Sequence, residues 1–112
     1  MKKFIALYHL PPEALTNPAH MQINEQQKAE TMAAWGAWNE RSGSAIVDMG
    51  APLMGGQSVD SSMTWQPSTK GVSGYSIVQA ASMNEARALF TNHIHLGGAP
   101  GATVELHEVI HI

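Results

Sequence analysis

Two helix-start signatures divide this chain, and each follows a run of strand-forming residues. Asn24 with Gln27, and Ser82 with Glu85, have the spacing of a capping box, in which the two side chains satisfy the first free N–H groups of a helix. Before the first lies a strand over residues 4–9, rich in β-formers and stopped by Leu10-Pro11-Pro12. Residues 12–23 read as a loop, with a helical turn opened by Asn17-Pro18. The first helix starts at Asn24, carries Arg41 in its last turn and stops at Gly43. Its Ala29, Met32, Ala33 and Gly36 recur at helical spacing and are expected to face a sheet, with Trp35 and Trp38 to one side.

A second strand follows at 44–48 and is expected to end at Gly50-Ala51-Pro52. Residues 53–72 form a long irregular connection in which 59–65 extend a hairpin arm. A third strand occupies 74–80. The second helix runs from Ser82 to Asn92 with Met83, Ala86, Leu89 and Phe90 inward, and a last strand spans 103–111. The order is βαββαβ. Two split βαβ units specify an α+β, ferredoxin-like sandwich: one antiparallel four-stranded sheet with two helices on one face. At 112 residues the chain suits a single domain, 1–112, and is too short for two full cores.

Two helices cover one face of such a sheet. The first strand is apolar on both, with Phe4, Ala6 and Tyr8 on one side and Ile5 and Leu7 on the other. A second copy packed face to face would cover the open side, so a homodimer is expected. Glu105, His107 and His111 keep part of that face polar.

Composition removes several function classes. The chain has no cysteine, which excludes disulfides, thiolate catalysis and Cys-ligated zinc. Its six Lys and Arg residues are scattered and its formal charge is -3, so nucleic acid is not an expected partner. No apolar run approaches the ~20 residues of a membrane span, and no basic amphipathic segment suggests a membrane surface. A cytoplasmic location is the resulting expectation. Gly55-Gly56 and Gly97-Gly98 do not have the pattern of a phosphate loop.

The topology gathers certain residues at one sheet edge: His9, Asp48, Tyr75, His93, His95 and Glu105, with His20 just before the first helix. Imidazoles beside carboxylates are the usual material of acid–base chemistry at neutral pH. His95 and His9 are the acid or base candidates, and Asp48 is expected to orient one of them. Trp35, Trp38, Trp65, Tyr75 and His93 are candidates to shape a ligand pocket, core packing being the ordinary alternative for helical aromatics. No metal site is expected. His93 and His95 sit in a helix-to-loop exit, and Glu105, His107 and His111 spread over roughly 20 Å of strand.

In combination these segments resemble the YCII-related family of the dimeric α+β barrel superfamily. The resemblance rests on Lys3-Phe4-Ile5-Ala6-Leu7-Tyr8, on Trp35 and Trp38, on the segment from Gly43 to Leu53, on 74–80 followed by 82–86, on 92–96, and on the closing strand. It implies the ferredoxin-like fold, a dimeric barrel and a pocket in which some relatives use a His–Asp pair. This chain departs from that pair, with Met32 in place of the histidine and Asn92 or His93 in place of the aspartate. His95 alone matches a histidine of the Trp-containing branch. The expected function is small-molecule binding, with histidine proton-transfer or lyase chemistry and no cofactor. The alternative is a non-catalytic dimeric module that senses a ligand or regulates a partner. A cofactor-free, monooxygenase-like barrel is a third.

Overall fold

The computed structural model describes residues 1–11, 24–98 and 100–111. Strand β1 (Lys2–His9) is followed by helix α1 (Glu25–Ser42), a 3-10 turn (Gly43–Ala45) and strand β2 (Ile46–Pro52). A short ribbon comes next, β3 (Gln57–Val59) with β4 (Trp65–Pro67), then strand β5 (Val72–Ala80) and helix α2 (Met83–Ala88). A 3-10 turn (Ile94–Gly97) leads into strand β6 (Thr103–Glu108). The main sheet has the order β2-β5-β1-β6, and every pairing in it is antiparallel. This is the α+β, ferredoxin-like arrangement expected from the element order. The expected turn at Asn17-Pro18, and His20, lie outside the described residues.

Both helix starts form as their side chains dictate. Asn24 accepts from the Gln27 N–H at 2.7 Å, and the Gln27 side chain accepts from the Asn24 N–H at 3.1 Å. Ser82 accepts from the Glu85 N–H at 3.2 Å, while the Glu85 carboxylate reaches back to the Ala81 N–H. Helix α2 is shorter than the sequence suggested. Beyond Ala88 the bonds become i to i+3, and Asn92 adopts a left-handed φ of 55°, which ends the coil.

The face of α1 that meets the sheet also differs from expectation. Ala29, Met32, Ala33 and Gly36 are exposed, whereas Trp38 is fully buried and Trp35 half-buried. Two indoles offer far more apolar area than a stripe of small residues, so burial of the tryptophans sets the rotation of the helix. Trp38 also donates its Nε1–H to the Leu89 carbonyl at 2.8 Å, tying α1 to the end of α2. The core beneath consists of Phe4, Ala6, Tyr8, Val78 and Ala80 from the sheet, with Trp38, Ala86 and Phe90 above them.

Strand β2 does not end before Gly50. It continues to Pro52 through two irregularities in its pairing with β5. Gly50 makes this possible: its φ is 81°, and a Cβ there would stand 1.7 Å from the Tyr75 carbonyl oxygen. Pro52 is tolerated because β2 lies at the edge of the sheet. Strand β6 stops at Glu108 rather than 111, because its partner β1 begins at Lys2 and the last bond available is from Val109 N–H to the Lys3 carbonyl. The expected hairpin arm is present as the β3–β4 ribbon, with Val59 opposite Trp65.

Candidate functional site

Between the first turns of α1 and the β2–β5 edge of the sheet lies a cleft of about 420 Å³, within the size range of small-molecule sites. Lys28, Thr31, Met32 and Trp35 form one wall. Met49 to Pro52 and Ser73 to Tyr75 form the other, and Tyr8 and His95 complete it. The bulged stretch of β2 thus supplies a wall of backbone and small side chains. Gly74 has a related role. A Cβ there would meet the Tyr8 ring at 3.3 Å and the Ala51 carbonyl at 3.2 Å, so its absence leaves room for the tyrosine to lie across β5.

Tyr8 is held from all sides. Its ring meets Trp35 edge-on at 5.1 Å, stacks on His93 at 5.3 Å and lies 5.1 Å from His95. Its hydroxyl is 2.7 Å from Ser76 Oγ, which donates to the Met49 carbonyl at 2.6 Å. Ser76 has a single proton, so Tyr8 is the donor to Ser76. Burial pushes the Tyr8 phenol up from 10.0 to about 12, against a smaller lowering by the Ser76 bond, so the phenol stays neutral.

His95 reaches the cleft from the 3-10 turn, with a defined tautomer. Its Nε2 is 3.0 Å from the His9 carbonyl oxygen, which can only accept. Nε2 therefore carries the proton, and in the neutral ring Nδ1 holds the free lone pair. The backbone N–H of His95 donates to His93 Nδ1 at 3.0 Å.

His93 itself is 2% exposed and enclosed by Tyr8, Trp35, Trp38 and Phe90. It belongs to the core beneath the cleft and not to its lining. Burial, then electrostatic repulsion from the neighbouring His95 and Arg41, brings its pKa from 6.5 down to about 4, so the ring is neutral near pH 7. Because Nδ1 accepts, its proton sits on Nε2, which is buried with no hydrogen-bond partner among the described residues.

The sheet separates the other residues singled out by sequence. Asp48 accepts from Tyr75 Oη at 3.2 Å and from the Gly50 N–H at 2.9 Å, and neither histidine is its partner. The Asp48 bond and charge raise the Tyr75 phenol. Strand alternation puts Tyr75, with Ile77, on the face away from the helices, so the phenol group and Asp48 lie on the open side while His93 and His95 lie on the helix side. His9 donates from Nδ1 to the Lys70 carbonyl at 2.9 Å. Glu105 is held below its usual range, first by its bond from His107 and then by the charges of His107 and His9. Trp38 is in the core. Trp65 is 61% exposed on the ribbon and does not line the cleft. Of the expected set, the cleft takes His95, Trp35 and part of Tyr75.

Sequence reasoning passed over Tyr8, Thr31, Met49 and Ser73. Tyr8 had a signal: it shares the phase of Phe4 and Ala6, which puts a phenol on the helix side of a central strand. Its pairing with a glycine on β5 is visible only in the register. Among the described residues, no group of three His, Asp or Glu side chains is arranged to hold a metal ion, and no helix is long and apolar enough to cross a membrane.

No family model matches the chain, and no curated protein matches it. Among solved structures, the chain is similar to 5-chloro-2-hydroxyhydroquinone dehydrochlorinase from Burkholderia phenoliruptrix AC1100, determined in complex with 2,5-dihydroxybenzoquinone. The TM-score is 0.49 and the identity 20%, over 94% of this chain and 91% of that one.

Proposed function

We propose that the cleft under α1 binds a small, largely apolar molecule and that His95 acts on it as a proton acceptor. The observation that carries this reading is the fixed tautomer of His95. The His9 carbonyl takes the Nε2 proton, which leaves Nδ1 as the basic atom of a ring in the cleft wall. A general base needs that state and a site that excludes most water. An apolar ligand lying against Trp35, Met32, Met49 and Pro52 would meet the second condition by displacing water from these largely apolar walls. The chemistry is proton transfer or lyase-type elimination, and it requires no cofactor. His9 contributes through its backbone carbonyl, and Tyr8 as a neutral hydrogen-bonding group. The protein works as a homodimer of YCII-related type, with Ile5, Leu7 and Ile77 of the open sheet face meeting the same face of a second copy.

A non-catalytic ligand-sensing module is the second reading, favoured by the β3–β4 ribbon. Trp65, Met63 and Met54 are exposed there, at 61%, 75% and 85%, as on an arm that docks on a partner. A metabolite screen by thermal shift, run on wild type and His95→Ala, tests the first reading. A ligand at 100 times its Kd adds about 2.7 kcal/mol, which such a screen detects. A compound that stabilises both proteins, but is converted only by wild type, supports the enzyme. A compound bound equally and converted by neither leaves the module, and a screen with no binder removes the cleft as a site.

A further inference from the structure

The side-chain hydroxyls around the cleft share one property: each has already given its proton to the protein. Tyr8 donates to Ser76, whose own proton goes to the Met49 carbonyl. Thr31 Oγ1 donates to the Gln27 carbonyl at 2.9 Å, and Ser73 Oγ to the Tyr8 carbonyl at 3.1 Å. The one N–H of the neutral His95 ring is held by the His9 carbonyl. A hydroxyl has one proton and two lone pairs, so what these groups have left to offer is lone pairs. Lys28 and Trp35 are the exceptions in the lining, an ammonium on the first turns of α1 and an indole N–H with no hydrogen-bond partner among the described residues.

From this we infer that the cleft selects neutral ligands that donate hydrogen bonds: apolar alcohols, phenols, amines or N–H heterocycles, in preference to ethers and carbonyl compounds of the same shape. The inference rests on the reading of the cleft as a binding site and adds the polarity of its occupant. A donor placed among these lone pairs satisfies them. An acceptor in the same position leaves two lone pairs facing each other wherever the bound molecule displaces water, and unpaired polar groups of that kind are what let polar sites discriminate. The selection also suits His95, since a ligand O–H or N–H directed at Nδ1 is the proton that a base would remove.

Ser76 fixes the direction of the chain. It is a positioning residue: its Oγ is where the Tyr8 proton goes, and without it Tyr8 is free to donate into the cleft. Ser76→Ala therefore changes the preference of the site without changing any residue that lines it. Tyr8→Phe is the complementary variant, because it keeps the ring in the core and the Ser76–Met49 bond while removing the tyrosine lone pairs.

The test uses four probes of similar size, 4-ethylphenol and 4-ethylaniline as donors, 4-ethylanisole and 4-ethylbenzaldehyde as acceptors. Binding to the full chain is read by titration calorimetry and by NMR shifts of the His95 ring. The expected result is donor probes bound about tenfold more tightly than acceptor probes by wild type, with the ratio falling to about threefold or less in Ser76→Ala or Tyr8→Phe. Circular dichroism of each variant checks the fold, and Tyr8→Phe decides the matter where Ser76→Ala does not fold. Equal binding of all four probes, tighter binding of the acceptors, or a ratio unchanged in the folded variants overturns the inference while leaving the cleft as a site. Binding of none at millimolar concentration overturns both.

Discussion

Lowering the pH toward 5 should destabilise this protein through His93, before its carboxylates become protonated. In the folded chain the ring sits among Tyr8, Trp35, Trp38 and Phe90, and its pKa falls from 6.5 to about 4. Above pH 6.5 the ring is neutral in both folded and unfolded chains and costs nothing. As pH falls through 6.5 the unfolded chain takes up a proton that the folded chain refuses, so stability is lost progressively down to about 4. For one such group, going from about pH 7.5 to about pH 5 removes about 2 kcal/mol, a sizeable share of a typical domain's stability. Urea unfolding followed by tryptophan fluorescence, repeated at steps across that range, measures the loss. His93→Asn is the control. Its side-chain oxygen can still accept the His95 N–H, but it does not titrate. The variant should be less stable at pH 7.5 from lost packing, and its stability should vary with pH by about 2 kcal/mol less than that of wild type. A variant with the same pH slope as wild type, or a His93 ring that titrates near 6.5 in the folded protein by NMR, would refute the argument.

Trp38→Ala removes a fully buried indole and the bond to the Leu89 carbonyl, and should cost about 3–5 kcal/mol in urea unfolding at neutral pH. Gly50→Ala should cost at least about 2 kcal/mol, since it drives a Cβ into the Tyr75 carbonyl at a left-handed φ; faster amide exchange along β2 and the facing half of β5, with β1–β6 unaffected, is the accompanying sign. Ile77→Asp puts a carboxylate in the middle of the open sheet face; if the proposed dimer forms through that face, wild type should scatter light as a dimer and the variant as a monomer, with the circular dichroism of wild type retained.

Most of the fold was legible because its signals are local. Asn24 with Gln27 and Ser82 with Glu85 mark helix starts through bonds that span three residues, and no tertiary contact is needed to predict them. The strand periodicity of 74–80 is of the same kind, and with the element order it fixed the sheet. The cleft was harder to read because it depends on competition between elements. The sequence offered α1 two possible inner stripes, and only packing showed that Trp35 and Trp38 win it over Ala29, Met32, Ala33 and Gly36. That rotation turns Thr31 and Met32 toward the β2–β5 edge. The edge where chemistry was expected does gather histidines, but the alternation of strand faces sends Asp48 and the Tyr75 phenol to the far side of the sheet from His95. Sharing an edge is a weaker condition than sharing a face. Ser76 gave no signal at all, since a serine inside a strand shows neither its burial nor its partner until the register pairs β5 with β1.

The irregular pairing and terminal Pro52 of β2 have a further effect on the behaviour of the protein in a crowded solution. Every open sheet has two rims, and a straight rim with free N–H and C=O groups invites another chain to extend the sheet without limit. Here one rim is bent at two places and ends in a residue without an N–H, while the other, β6, is six residues long and carries Glu105, His107 and Glu108. Neither offers a template for fibre growth. The same bend that walls the cleft also blunts the rim against another chain.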